Sequence, residues 1–251
     1  MDKALIRERF ARAVGTYGEQ AVVQREVAGQ LLSRLMACLP AGTVGNVWEA
    51  GCGTGGFTHL FLQHYRPQSL LLNDLCPEVE GALRPLLDER IRFIPGDAER
   101  FSPGMPLQLI VSCSALQWLD DPLGFMQRCR HHLVPGGRLA VGLYGERNLE
   151  ELSFLTGQSL RYFSLKEVCG ALEGVGYAVE QADEYRTQLS FASPVDVLKH
   201  IRQTGVGGLQ RQAWSKGRLA EFSRRYRMHF SQPDGTVRLS YHPQFIIAKY
   251  K

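Results

Sequence analysis

No run of apolar residues in this chain approaches the ~18 that a membrane-spanning helix needs. The opening "MDKALIRERF" spreads charge through a helical pattern, so it reads as neither a signal peptide nor an anchor, and no membrane partner is expected. Paired cysteines are missing as well. The six present (Cys38, Cys52, Cys76, Cys113, Cys129, Cys169) are scattered without a C-x-x-C, which fits reduced, mostly buried thiols in a cytoplasmic protein. No Cys/His cluster has metal-binding spacing. His131 and His132 are adjacent and cannot chelate as a pair one helical turn apart does, so no metal is expected. Nothing resembles a Ser/His/Asp constellation or an activated cysteine. Internal repeats and low-complexity linkers are also lacking, which leaves 251 residues for one large domain or a domain with an added lobe.

What is present is an alternation. Residues 2–14 and 19–38 read as two amphipathic helices with a break at Gly15–Gly18. Five short apolar runs follow: "NVWEA", "SLLLND", "IRFIPGD", "LQLIVSC" and "GRLAVGLYG". Each is of strand length, and helices are expected at 56–66, 77–88 and 122–133. Strand alternating with helix implies crossovers, hence parallel strands in an open α/β sheet covered on both faces. After residue 177 the pattern changes. "YAVEQADEYRTQLSF" reads as extended, 194–230 as helical, and "FIIAKYK" as a closing strand. The expected organisation is one domain over 1–251: a helical cap (1–44), a cofactor-binding core (45–192), a helical lid (193–240) built onto the sheet, and the last strand (241–251).

The stretch "WEAGCGTGGFT" holds four glycines between Gly51 and Gly56. They follow the first strand and open a helix, at the carboxyl ends of the strands where an α/β sheet binds ligands. Gly51, Gly53 and Gly56 satisfy G-x-G-x-x-G, the dinucleotide fingerprint, although such a turn can also serve tight packing alone. The acids nearby distinguish the ligands. Glu49 lies in the end of the first strand. Asp74 ends the second, 18 residues after Gly56, where a carboxylate can accept hydrogen bonds from both ribose hydroxyls. Asp97, in "PGDAE", follows the third strand and can accept from an exocyclic adenine amine. A nicotinamide site does not require that third acid, and a cofactor without phosphates tolerates these carboxylates better than a pyrophosphate does.

"VWEAGCGTG", the strand-end Asp74, "GDAE", and "SALQWLDDP" followed by "LVPGGRLAV" resemble, in order and spacing, the motifs of class I S-adenosylmethionine-dependent methyltransferases over roughly residues 45–145. The resemblance implies a Rossmann-like, seven-stranded, mostly parallel sheet whose last strand is antiparallel. It implies S-adenosylmethionine as cofactor, with Glu49, Gly51, Cys52, Gly53 and Gly55 facing the methionine part. Asp74 and Leu75 would face the ribose, Asp97 and Ala98 the adenine, and Ser114 would start the loop beside the sulfonium. A closer resemblance includes "RERFARAVGTYGEQAVVQREVAGQLL", "SALQW", "VLKHIRQTGVGGL" and "LSYHPQFIIAKY". These are similar to the biotin-pathway malonyl-acyl carrier protein O-methyltransferases, which methylate the free carboxyl of a malonyl thioester. It implies that Tyr17 and Gln24 close over the cofactor. Where that family usually has Asp or Asn after the tyrosine, this chain has Gly18. Methylation of another small carboxylic acid or of a quinone precursor, and a non-catalytic cofactor-binding subunit, remain open as alternatives.

Methyl transfer from a sulfonium is an in-line displacement, in which alignment is the main contribution. A carboxylate nucleophile has a pKa near ~4 and is already ionised at neutral pH, so no general base is needed. The site needs donors that position a carboxylate, and Tyr17, Tyr144 and Arg161 are the catalytic candidates. Tyr17 can instead staple two helices, and Tyr144 can be a strand-end packing aromatic. Arg161 can merely flank the helix that Ser164 caps. Trp118 likewise reads as packing or as substrate contact.

Charge is unevenly spread. Between Lys199 and Arg238 nine Lys or Arg face two acids, a net +7 within a chain of net +4. Leu219, Phe222, Tyr226 and Phe230 fall at helical spacing as a core-facing stripe, which turns the arginines of "SRRYRMHF" outward. Such a surface suits an acidic partner, and an acyl carrier protein carrying a malonyl group is the one expected. Nucleic acid would fit the charge, but no RNA-binding module is evident.

Overall fold

The computed structural model describes residues 1–204 and 215–251, with the side chains of 16–20 outside the described set. Two helices lead, α1 (Lys3–Gln20) and α2 (Val22–Cys38). The alternating core follows: β1 (Gly42–Ala50), α3 (Gly56–His64), β2 (Tyr65–Asp74), α4 (Glu80–Leu83), β3 (Ile91–Pro95), β4 (Leu107–Cys113), α5 (Pro122–Arg128) and β5 (Leu133–Tyr144). Then come α6 (Glu150–Thr156), α7 (Leu165–Glu173), β6 (Tyr177–Glu184), β7 (Thr187–Phe191), α8 (Pro194–Gln203), α9 (Lys216–Phe230), β8 (Val237–Tyr241) and β9 (Pro243–Tyr250).

The seven-stranded sheet has the order β3-β2-β1-β4-β5-β9-β6. All neighbours are parallel except β9, which runs antiparallel to both β5 and β6. From β1 the chain builds outward through β2 to β3, then crosses back to place β4 on the other side of β1. That reversal opens a crevice at the carboxyl ends of β1 and β4.

The run "LLL" in β2 shows why continuous apolar sequence makes such a strand. Leu70 and Leu72 join one core cluster with Val27, Leu31 and Phe61, while Leu71 joins the other with Trp48, Phe125 and Leu172. Successive side chains point to opposite faces, and helices cover both, so every position is apolar. Where a helix opens on Asp or Ser, the side chain caps it. Asp121 accepts from the Gly124 amide with Pro122 in the first turn, and Ser164 with Glu167 forms a reciprocal capping box on α7.

Two helical expectations require correction, and the extended one is refined. Helix α1 runs through Gly15 and Gly18, and the break falls at Ala21 (φ −81°, ψ 52°). Glycine inside a helix costs only ~1 kcal/mol relative to alanine, which a helix packed on its neighbours tolerates. The helix expected at 77–88 is one α turn between two 3-10 turns, because Pro85 cannot continue the ladder. "YAVEQADEYRTQLSF" is two strands: β6 stays in the main sheet, and β7 leaves it to pair antiparallel with β8. The region expected as a helical lid therefore ends in β8, whose partner β7 lies in the expected core, alongside α8 and α9. Part of it, 205–214, lies outside the described residues, as do the last five residues of "VLKHIRQTGVGGL". The aromatic stripe of α9 is as expected: Phe222, Tyr226 and Phe230 are buried, Leu219 is half-buried, and Arg224 and Arg227 are exposed.

Candidate active site

The glycine turn is shaped by what approaches it. Gly51 has φ +75°, and a Cβ there would lie 2.2 Å from the Ala115 Cβ, so neither a side chain nor a relaxed backbone is available to another residue. The amides of Gly51 and Cys52 both donate to the Asn73 carbonyl, at 2.8 and 3.0 Å. Gly53 donates its amide to Asp74 Oδ2 at 2.8 Å, and the Cys76 amide donates to Oδ1 at 2.9 Å. Asp74 thus ties the turn after β1 to the turn after β2. Burial pushes its carboxyl above the usual range, against those two amide bonds.

Glu49 is 2% exposed, and its Oε2 accepts from Thr58 Oγ1 at 2.7 Å. Burial, with a smaller push from Asp74, raises its pKa to about 8 despite that bond. On the third strand's loop, Asp97 Oδ1 accepts from Lys3 Nζ at 3.2 Å and from the Glu99 amide at 3.0 Å. Glu99 takes Lys3 Nζ at 2.7 Å and the amides of Asp120 and Asp121, each at 2.9 Å. It is held below its ordinary range although burial opposes this, first by Lys3 and then by those amides. Lys3 therefore pins α1 across the mouth of the crevice.

Beneath α1 lies a cavity of about 330 Å³. Ile6, Phe10 and Val14 roof it, and Glu49, Gly51, Cys52 and Gly53 form one wall. Asp74 and Leu75 line it beside Asp97 and Ala98, and Ser114 and Gln24 close the inner end. Ten of the expected cofactor residues meet there. Gly55 is the exception among the glycines: it caps α3 with its α-carbon toward Leu83, and Gly56 lines the cavity in its place. The side chain of Tyr17 lies outside the described residues.

A smaller cavity of about 20 Å³ adjoins the first, sharing Phe10, Gln24, Ser114 and Trp118 with it. Tyr144 lines this inner cavity, its hydroxyl 3.2 Å from Ser114 Oγ, and Ser114 holds a left-handed φ of 57°. Trp118 is buried and meets Phe10 edge-on at 5.5 Å, so it serves packing while facing both cavities. Arg161 stands apart. The segment turns Leu160 and Phe163 inward and leaves Arg161 exposed over the Phe163 ring at 4.8 Å, and it lines neither cavity.

Sequence reasoning missed Asn148, Tyr162, Tyr241 and His200. Asn148 and Tyr162 sit in the connection between β5 and α7, outside every motif quoted, and nothing in the sequence marked them. Tyr241 stood in "LSYHPQF", a signal that was available. Its hydroxyl is 2.8 Å from His200 Nε2, and burial lowers the proton affinity of that imidazole. Among the described residues no group of three His, Cys, Asp or Glu side chains is placed to hold a metal ion.

A methyltransferase domain family matches residues 48–139. A malonyl-[acyl-carrier protein] O-methyltransferase of Bacteroides helcogenes is 40% identical over 274 aligned residues, covering 100% of both chains. One of Bacteroides fragilis is 42% identical over 98% of this chain, which spans only 50% of that longer relative. This chain belongs to the malonyl-[acyl-carrier protein] O-methyltransferase family. Among solved structures, a Haemonchus contortus N-methyltransferase in complex with S-adenosylhomocysteine shares the fold, with a TM-score of 0.56 at 15% identity, covering 88% of this chain and 52% of that one.

The cofactor of this methyltransferase is S-adenosylmethionine, and the cavity fits it. Three carboxylates, Glu49, Asp74 and Asp97, line it, a set of acceptors suited to a ligand that carries hydroxyl, amine and ammonium donors. Gln24 Oε1 is a buried acceptor without a partner among the described residues, and it faces the inner end. A buried acceptor left unmet is costly, and a ligand bearing an ammonium group satisfies it.

Proposed function

We propose that this enzyme methylates the free carboxylate of a malonyl group carried as a thioester on an acyl carrier protein, giving the methyl ester that enters biotin synthesis. The observation that carries this reading is the inner cavity, which adjoins the cofactor cavity at Ser114 and is lined by five hydroxyl-bearing residues, Ser114, Tyr144, Tyr162, Thr204 and Tyr241. A lining this rich in hydroxyl-bearing residues suits an anion's oxygens better than an apolar ring, which favours a carboxylic acid over a quinone precursor. When bound, S-adenosylmethionine supplies a methyl group activated by the sulfonium. The chain's own task is alignment: Asp74 and Asp97 fix the cofactor's far end, while Ser114 and Tyr144 set the wall between the two cavities. His200, held neutral by burial, is hydrogen-bonded to Tyr241 and is not called on to remove a proton.

The test is the pH dependence of the chemical step. A carboxylate titrates near ~4, whereas a histidine base would impose a rise near ~6–7. Single-turnover rates at saturating cofactor should be roughly flat from about pH 6 to pH 8.5, and mild alkali should release the incorporated methyl as methanol. A steep rise across neutral pH, or a methyl group that resists alkali, would instead favour attack by oxygen or carbon of another acidity.

The basic lid supports an acidic partner. Arg227 is exposed, and Arg224 makes an exposed pair with Glu221, a contact it can exchange for a partner's carboxylate. Reversing Arg224, Arg225 and Arg227 to Glu should raise KM for malonyl carrier protein on the order of tenfold and flatten its salt dependence, with kcat little changed. Malonyl-coenzyme A should be nearly indifferent to the change. Equal losses on both substrates would remove the support for an acidic docking partner.

A further inference from the structure

The inner cavity contains a hydrogen-bond chain whose direction is fixed by the backbone. Asn148 is 4% exposed, and its Oδ1 accepts from the amide of His242 at 3.3 Å. A backbone N–H can only donate, so the side-chain amide has one orientation open to it, with Nδ2 turned toward Tyr162. Asn148 Nδ2 donates to the Tyr162 hydroxyl oxygen at 2.9 Å. That oxygen is the acceptor in this pair, so the phenolic hydrogen must point elsewhere. No acceptor for it is found among the described residues, and both side chains line the inner cavity. Burial, against the Asn148 bond, pushes the phenol up to about 12, so the hydrogen stays on it at any working pH.

The rest of the lining says what the hydrogen is for. Among the described residues no Lys or Arg lines this cavity. Its volume of about 20 Å³ exceeds the ~10–15 Å³ that one water-sized group requires, which suits the end of a carboxylate and little more. Resting on the reading of the substrate as a malonyl thioester, we propose that the inner cavity is a carboxylate subsite built of neutral donors. In it Tyr162, aimed by Asn148, donates to the carboxylate oxygen that does not attack. The other oxygen is left to face the cofactor cavity across Ser114. The attacking oxygen's electron pair forms the new C–O bond, the C–S bond breaks toward sulfur, and no proton changes place. Asn148 is a positioning residue acting through Tyr162.

Two substitutions test this in combination. Tyr162→Phe removes the donor and keeps the ring. It should lower kcat/KM for malonyl carrier protein by about tenfold to a hundredfold, the worth of a hydrogen bond to a charged group. Affinity of malonyl carrier protein for the S-adenosylhomocysteine complex should fall in step. Affinity for S-adenosylhomocysteine itself, affinity for carrier protein lacking the malonyl group, and Tm should stay as in the wild type. Asn148→Asp keeps an acceptor for the His242 amide but accepts from Tyr162 as well, so it turns the phenolic hydrogen away from the cavity. Tyr162→Phe should then cost nothing further in the Asn148→Asp background. A Tyr162→Phe enzyme within about twofold of wild type on both readouts would overturn the subsite, and equal costs in both backgrounds would overturn the role of Asn148. A wild-type enzyme that fails to methylate malonyl carrier protein would overturn the substrate reading itself, a result distinguishable from either.

Discussion

Replacing Asp74 by Ala should cost S-adenosylmethionine affinity at least about a hundredfold, since the two charge-assisted bonds we propose that it accepts from the ribose would each be worth ~1.5–3 kcal/mol. The loss should exceed that of a group that only touches ligand. Asp74 also accepts the Gly53 and Cys76 amides, so the alanine variant unties the glycine turn from the loop after β2. Asp74→Asn separates the two contributions. Its Oδ1 can keep one amide, while its NH₂ faces the other amide and the ribose hydroxyls as a donor. Titration calorimetry should rank wild type first, the asparagine variant second and the alanine variant last. Unchanged affinity in the alanine variant would remove Asp74 from the ribose.

The second large effect is a dependence on pH that Glu49 imposes on both stability and binding. Burial raises its pKa to about 8 from an ordinary 4.5, so the folded, cofactor-free protein holds this proton more tightly than the unfolded chain. The stabilisation is therefore complete below about pH 4.5 and is lost as pH rises toward 8, at up to ~1.4 kcal/mol per pH unit. Glu49→Gln is neutral throughout and should flatten that part of the Tm profile. A cofactor bearing a sulfonium and an ammonium favours the ionised carboxylate, so binding should expel the proton. Calorimetry at pH 6.5 in buffers of different ionisation enthalpy should show close to one more proton released by wild type than by Glu49→Gln, with the difference vanishing above about pH 9. Identical proton release in the two proteins would place Glu49 away from the cofactor's charge.

The parts of this molecule that were legible in the sequence are those where one local rule decides. The glycines of 51–56 announce a strand-to-helix turn, because positive-φ backbone leaves few alternatives there. The apolar runs of β1, β2 and β4 are legible because burial on both faces leaves no room for polar residues. What escaped depends on contacts distant in sequence. Nothing near Gly15 tells that α1 continues past it over the crevice, since its support comes from the surfaces it covers. The β7–β8 pairing joins segments separated by α8 and α9. Arg161 looked like an anion donor by type, yet the inward turn of Leu160 and Phe163 left it outside both cavities. Asn148 and Tyr162 acquire meaning only through the His242 amide, on the connection between β8 and β9.

That no Lys or Arg lines the inner cavity among the described residues has a bearing on rate as well as recognition. Transfer of a methyl group from a sulfonium to a carboxylate begins with two opposite charges and ends with neither. A polar solvent stabilises the separated charges of the reactants more than the partly cancelled charges of the passage between them, and so retards the reaction. Walls of phenol, amide and aromatic ring do the reverse: they leave the two ions poorly solvated except by one another, and Coulomb attraction across a medium of low permittivity draws them together. An arginine in that wall would have bound the anion more firmly and dulled it as a nucleophile, holding the ground state where the hydroxyls let it go.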